Sequence, residues 1–320
     1  MICAVAAILL CISCGTVAAT KNEAPAPVAK LYVKNGKLSD QAGNTVILKG
    51  VSFGWHNIWP RFYNAGAVRT LAEEWNVDVV RASIGVGHRY GYEQFPDEAV
   101  AAATAVADAA IANGIYVIID WHSHFLKTEA AKEFFAAMAQ RYKGVPNVIY
   151  ELFNEPVEDS WSDLKAYYTE LIEVISSIDD SEPLILVGCP HWDQDIHLAA
   201  DAPIEGYDNV MYTLHFYAGT HKQSLRDRGD YALSKGLPIF VSECGGMRAD
   251  GDGDLDTESF AQWISWMESN DLSFVMWSLS DKFEVCSMLL PYASSEGPWE
   301  DRYIKEWGLL VKSTLADRSK

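Results

Sequence analysis

Along the chain, short and continuously apolar runs alternate with longer segments in which apolar residues recur every three or four positions. Tyr116-Val-Ile-Ile119 and Pro183-Leu-Ile-Leu-Val187 are apolar almost throughout, as parallel strands buried on both faces must be. Runs of this kind predict strands over 48–54, 78–84, 115–121, 147–153, 183–188, 209–215, 237–243 and 273–278. Between them, 67–75, 97–113, 128–142, 161–178, 221–235 and 257–269 carry Ala, Leu, Ile and Phe at helical spacing. A weaker helical stretch lies near 193–200, and another over 300–312 closes the series. Eight strands joined by crossover helices predict an α/β chain folded as a single (β/α)8 TIM barrel spanning 31–320. No second domain and no repeat beyond the βα unit is visible.

Ahead of the first barrel strand, Leu31-Tyr-Val33, Asn35-Gly36, Gly43-Asn44 and Thr45-Val-Ile-Leu48 read as short strands broken by turn signals. They predict a short N-terminal β-hairpin plugging one end of the core. Residues 2–14 form an apolar run too short to span a bilayer and suited to the h-region of a signal peptide over 1–19, although the usual basic n-region is missing. Cys14, after Ile12-Ser13 and before Gly15, resembles a lipobox cysteine. The pattern therefore fits either lipidation at Cys14 or cleavage near Ala18-Ala19, followed by a tether over 20–30. Export is expected, with no transmembrane span.

Charge narrows the partners. Lys and Arg number 25 against 44 Asp and Glu, a net charge of −19. Such a surface repels phosphate backbones, so nucleic acid is not expected as a partner. Beyond the leader only Cys189, Cys244 and Cys286 remain, an odd number that allows at most one bridge and shows no zinc spacing. Asp250-Gly-Asp-Gly-Asp-Leu-Asp256 resembles a calcium loop, but position twelve is Ala261, and a solvated acidic loop is the default reading.

In a barrel of this kind the reactive groups sit where strands end and βα loops begin. Here the first strand is followed by Trp55-His56 and Trp59, the second ends at Arg81, and the third at Asp120-Trp121-His122. The fourth gives Asn154-Glu155-Pro156, the sixth His215-Phe216-Tyr217, the seventh Glu243 and the eighth Trp277. Packing alone would leave apolar or turn residues there. Two carboxylates facing each other across a barrel mouth suit acetal hydrolysis, with Glu155 protonating the leaving oxygen and Glu243 as nucleophile. On this reading burial and repulsion raise the Glu155 pKa, Arg81 keeps Glu243 ionised, and His215 and Tyr217 orient the nucleophile. Asn154 would hold a sugar 2-hydroxyl, while Trp277 and Trp192 offer flat faces to pyranose rings. Trp75, Trp263, Trp266 and Trp307, on helical segments, are assigned to packing, and Trp55 fits either use. His122-Ser-His124 has a spacing that some metal hydrolases use, but no consistent set of further ligands accompanies it, so neither metal nor cofactor is expected.

The segments Tyr150-Glu-Leu-Phe-Asn-Glu-Pro156, Asp120-Trp-His122, Tyr212-Thr-Leu-His-Phe-Tyr217, Val241-Ser-Glu243 and Trp277-Ser-Leu-Ser-Asp-Lys282 resemble the signatures of glycoside hydrolase family 5, in particular its bacterial endo-β-1,4-glucanases. The resemblance runs from about Leu31 to the end. It implies a retaining mechanism on a β-glucan, with Arg81, His122, Asn154, His215, Tyr217 and Trp277 supporting the two glutamates. It further implies that His56, Trp59, Trp192, Lys282 and Glu284 bind glucosyl units on the non-reducing side of the cleaved bond. Three departures bear on the substrate. Cys244 follows the nucleophile where Trp is common, which is expected to open space; the loop after His122 looks short; and Gly85 lies where relatives carry a tyrosine, for which Tyr90 or Tyr92 would substitute. The same machinery acting on mannan, xyloglucan or mixed-linkage glucan, and a surface glycan-binding lipoprotein without catalysis, are the alternatives. The barrel is expected to act as a monomer.

Overall fold

A computed structural model describes residues 28–317. The leader, Cys14 and most of the tether lie outside the described residues. Tyr32–Lys34 (β1) and Lys37–Ser39 (β2) form an antiparallel hairpin closed at Asn35-Gly36, where both residues have positive φ (53° and 72°), as a tight two-residue hairpin turn requires. The second predicted run contributes only an isolated bridge between Thr45 and Ser39.

Eight parallel strands follow: Lys49–Phe53 (β3), Val79–Gly85 (β4), Tyr116–His122 (β5), Val148–Glu151 (β6), Leu184–Val187 (β7), Val210–Tyr217 (β8), Ile239–Gly245 (β9) and Phe274–Leu279 (β10). They close into a barrel in chain order, with β10 pairing β3. The (β/α)8 expectation holds, strand by strand. Intervening helices include Ala65–Glu74, Pro96–Ala112, Thr128–Arg141, Trp161–Ile178, Gln223–Ser234 and Thr257–Ser269. The last predicted helix begins later, at Glu306, because Asp301–Tyr303 forms a separate 3-10 turn.

The core has two parts. One lies between barrel and helices and contains Trp75, Trp263 and Trp307, with Trp266 packed against it, as assigned from the sequence. The other fills the bottom of the barrel, where hairpin residues Leu31 and Leu38 meet Val79, Ile118, Ile149, Met211, Phe240 and Val275. Side chains along a strand alternate between barrel interior and exterior. Two residues beyond these apolar plugs stand Arg81, Asp120, Glu151, Thr213, Ser242 and Trp277. The interior therefore changes from oily to ionisable one layer up, which fixes the level of the site. Arg81 sits mid-strand in β4, opposite Ser52 and Ile118, rather than at a strand end.

Two local irregularities shape the mouth. Thr213 pairs with Phe240 but His215 with Glu243, so two residues of β8 face three of β9. This bulge re-aims the bulged strand, and it brings Glu243 level with His215. After β7, His191, Trp192 and Asp193 all have left-handed φ, between 55° and 61°. Each such residue costs about 1–2 kcal/mol. The turn is held by Trp192 N–H donating to Pro156 O (2.9 Å) and by Asp193 Oδ1 accepting from Cys189 N–H (2.5 Å). The predicted helix over 193–200 accordingly shortens to Ile196–Asp201. Cys189, Cys244 and Cys286 are all free and buried.

Candidate active site

Arg81 is fully buried and is the hub of the site. Its Nε and Nη2 grip Glu151 (2.7 and 3.2 Å), Nη2 also reaches Asp120 (3.0 Å) and Asn154 Oδ1 (2.6 Å), and Nη1 donates to Glu243 Oε2 (3.1 Å). Burial opposes its charge, but three carboxylates outweigh burial and lift its pKa further, so it stays cationic. Tyr217 O–H donates to the other oxygen of Glu243, Oε1, at 2.5 Å. Both carboxylate oxygens of Glu243 are thus held by donors, one cationic and one neutral.

Glu155 is held differently. Its Oε1 faces His215 Nδ1 (3.0 Å) and its Oε2 faces His124 Nε2 (3.2 Å). The sequence-based expectation that His215 orients the nucleophile is corrected: the ring serves Glu155, with Nε2 on Ser242 Oγ (2.9 Å) and near Asp193 Oδ2 (3.2 Å). Burial works against charge on His215, yet Asp193 and Glu155 on either side raise its pKa to about 9. The expected direction for Glu155 also reverses. Burial pushes its pKa up, but hydrogen bonds from His124 and His215 outweigh burial and hold the carboxyl below its ordinary value.

One oxygen of Glu155 and one of Glu243 lie within 4.8 Å of each other, with a His215 nitrogen inside the same distance. These three are the only group with metal-ligand spacing among the described residues. Their lone pairs, however, already meet Arg81, Tyr217 and the imidazoles, so the donor set fits charge stabilisation better than a cation. Nor does the acidic loop gather ligands, since Asp250 pairs with Arg248 (3.0 Å) and Asp256 caps the following helix at Ser259 N–H (2.9 Å).

His122 Nδ1 lies 2.6 Å from Asp120 Oδ2, and the ring lies flat against Trp277, with centroids 5.2 Å apart and planes 7° from parallel. Burial and the neighbouring Arg81 keep its pKa well below the ordinary value, so it is neutral. Asn154 Nδ2 is buried without a protein partner, which leaves a donor for a ligand.

The two carboxylates form the floor of a cleft that continues on both sides. One half, about 370 Å³, is walled by Trp55, Trp59, Trp277, Lys282 and Glu284; the other, about 580 Å³, by His191, Trp192, Gln194 and His221. Two sequence assignments change here. Trp192 lies across the carboxylates from Trp59, Lys282 and Glu284, so it does not share their side. His56 lines neither half. It is buried, with Nδ1 accepting from Gly85 N–H (3.0 Å), and Trp55 takes the cleft position, its ring edge-on to His122 at 4.5 Å. A Cβ at Gly85 would meet Asn57 Oδ1 at 2.2 Å and Trp55 at 3.0 Å, so glycine permits that approach. Neither Tyr90 nor Tyr92 substitutes for a cleft tyrosine, since Tyr90 packs on Phe95 and Tyr92 on Trp121 and Phe134. Cys244 opens no space in the cleft, because its thiol is buried against Val275 O.

Sequence reasoning passed over Glu151, Asp193 and the hold of His124 on Glu155. Glu151 had a usable signal, an acid inside an otherwise apolar parallel strand, which demands a buried partner. Asp193 had none, sitting in what read as a helix.

Comparison with known proteins agrees with this geometry. The chain is 38% identical to Endoglucanase Z of Dickeya dadantii over 289 residues, covering 89% of this chain and 64% of that protein. It is also 38% identical to an endoglucanase of Clostridium saccharobutylicum, covering 89% and 65%. The chain thus spans a little under two thirds of the length of these relatives. The solved catalytic domain of Thermobifida fusca endoglucanase Cel5A superposes with a TM-score of 0.85 at 32% identity, covering 90% of this chain and 97% of that one. A Glu-to-Gln variant of that domain, solved in complex with cellotetraose, matches equally well at 31% identity. Residues 39–283 match the family model described as Cellulase (glycosyl hydrolase family 5), and the chain belongs to that family.

Proposed function

We propose that this protein is an endo-β-1,4-glucanase that cleaves internal bonds of cellulose-like glucan with retention, Glu243 acting as nucleophile and Glu155 as acid/base. The observation that carries the reading is the pair of carboxylates with oxygens within 4.8 Å, each held by a different kind of partner. Retention calls for carboxyl groups about 5–5.5 Å apart, and inversion for about 6.5–9.5 Å. Arg81 and Tyr217 each donate to one oxygen of Glu243 and keep it aimed. In the first step a Glu243 oxygen bonds to the anomeric carbon as the glycosidic C–O bond breaks, and the leaving oxygen takes a proton from Glu155. In the second, Glu155 takes a proton from water, whose oxygen displaces Glu243.

Asn154 Nδ2 is free to donate to the sugar 2-hydroxyl, where hydrogen bonding strengthens in the transition state. Neutral His122 supports Trp277 beneath the sugar to be cleaved. Trp55, Trp59, Lys282 and Glu284 serve one side of the cleft and Trp192 the other. A cleft extending both ways from the floor accommodates the middle of a chain, which favours endo action. The relatives named as endoglucanases and the cellotetraose complex of one of them support β-1,4-glucan as substrate.

Export through the 1–19 leader, with the tether at 20–30 and the barrel domain over 31–320, completes the proposal; Cys14 is either lipidated or lost on cleavage near Ala18-Ala19. Among the described residues no helix is long and apolar enough to cross a membrane. Detergent partitioning and the mass of the mature N-terminus separate the two outcomes for Cys14. For the activity, reducing-end release and viscosity are measured on carboxymethyl cellulose, glucomannan and mixed-linkage glucan, with Glu243→Ala as control. A fast viscosity drop on the cellulose derivative, absent in the variant, is expected. Activity on glucomannan alone would keep the mechanism and replace the substrate, and an α-configured first product would overturn retention.

A further inference from the structure

His124 has no role in the two steps above, yet it touches the group that must deliver the proton. The two imidazoles on Glu155 are not equivalent. His215 is enclosed, with a side chain 2% exposed and its other nitrogen tied to Ser242 and Asp193. His124 is 26% exposed, lines both halves of the cleft, and leans against Trp55 with centroids 5.8 Å apart.

Each oxygen of Glu155 faces one imidazole nitrogen, Oε1 that of His215 and Oε2 that of His124. The proton required for leaving-group departure therefore has two places to sit along the 3.2 Å line between Glu155 Oε2 and His124 Nε2. We propose that His124 is a positioning residue that shares the leaving-group proton with Glu155 and so keeps that proton in the site at pH values where a lone carboxyl has lost it. The proposal rests on Glu155 being the acid/base.

The proton balance is closed. The pair carries one proton: the glycosidic oxygen leaves with it through Glu155, which leaves the carboxylate and a neutral His124 as the base, and the proton that Glu155 then takes from water returns the pair to its starting count. The charged and titratable groups acting on His124 are Glu155 after β6, Glu243 on β9, and Asp120 and His122 on β5. Around the cleft stand Asp250 from the loop after β9, His88 after β4, and His191 and His221 from the loops after β7 and β8. Burial alone would discharge His124, but the acids outweigh it and raise its pKa.

Two groups coupled this closely lose protons in macroscopic steps that belong to the pair. With one proton on the pair, the fraction carried by Glu155 is constant until His124 loses its share, so the alkaline limb of kcat/KM reports the pair. Without His124 the limb reverts to Glu155 and its remaining partner. We therefore compare kcat/KM against pH for the full chain, His124→Gln and His124→Phe on a cello-oligosaccharide, whose leaving group needs a proton, and on 2,4-dinitrophenyl β-cellobioside, whose leaving group does not. Both variants should move the alkaline limb on the oligosaccharide to lower pH by roughly one unit, the least coupling that makes the pair titrate jointly. Rates should converge with the parent at higher pH, and the aryl substrate should show no such movement. An unmoved limb in both variants, or a uniform loss at every pH, would overturn the proposal. Glu155→Ala separates the two readings. If it is slow only on the oligosaccharide while the His124 limb stays put, the acid/base assignment stands and the sharing fails; if it is equally active on both substrates, the assignment of Glu155 fails first.

Discussion

Replacing Arg81 with Met tests whether charge balance or shape holds the barrel mouth together. Met keeps the length of the side chain and removes its charge, leaving Glu151, Asp120 and Glu243, whose side chains are 0–6% exposed, without their cation. Breaking a buried ion pair from one side costs about 3–5 kcal/mol, and this guanidinium faces three acids. Against a typical total stability of about 5–15 kcal/mol, the loss should be visible as a large drop in the urea midpoint. The pH dependence gives the sharper check. Burial already raises Asp120 to about 6 and pushes Glu151 up, and losing Arg81 raises both further. A carboxyl whose native pKa is raised binds its proton more tightly in the folded state, so its contribution falls as pH rises from its unfolded value through its native one. The deficit of Arg81→Met should thus be greatest above about pH 6 and shrink toward about pH 4, where unfolded carboxyls also protonate. Arg81→Lys restores a point charge without the fork and should fall between. Urea unfolding followed by Trp fluorescence at pH 7.5 and 5 reads both effects. Equal midpoints at pH 7.5, or a deficit that grows in acid, would refute the electrostatic account.

Other outcomes follow from single contacts. Tyr217→Phe removes the donor on Glu243 Oε1; a hydrogen bond to a charged group is worth about 1.5–3 kcal/mol, so kcat/KM should fall by roughly ten- to a hundredfold in steady-state assays on cello-oligosaccharides. Trp192→Ala should raise KM for oligosaccharides about three- to tenfold, as expected for a lost aromatic face of about 1 kcal/mol, and shift the cleavage pattern by weakening one side of the bond only. Leu38→Ala hollows the plug beneath the barrel; it should lower stability by about 2–5 kcal/mol while leaving kcat/KM unchanged at temperatures where the protein is folded.

The amino-acid sequence alone determined the barrel and most of its mouth. Strands buried on both faces must be continuously apolar, so β5 and β7 were placed within a residue or so, and the chemistry at their ends followed from where such strands stop. Glu155, Glu243, His122, Tyr217 and Trp277 needed only that rule and the family resemblance. What remained closed to the sequence was every choice between neighbours. The bulge in β9 shifts Glu243 by one place, and a period of two carries no mark of an inserted residue. Trp55 faces the cleft and His56 the packing behind Gly85, a decision made by a loop without periodicity. Trp192 crosses to the far side because three left-handed residues turn the chain, paid for by hydrogen bonds to residues that are distant in the chain or on other strands. His215 serves Glu155 rather than Glu243, and His124 joins it, because partners 60 and 31 residues apart meet only when the barrel closes. Hydrophobic pattern fixes which layer a residue occupies; which neighbour it touches, and so which way its proton goes, depends on angstrom-scale distances that only the closed barrel sets.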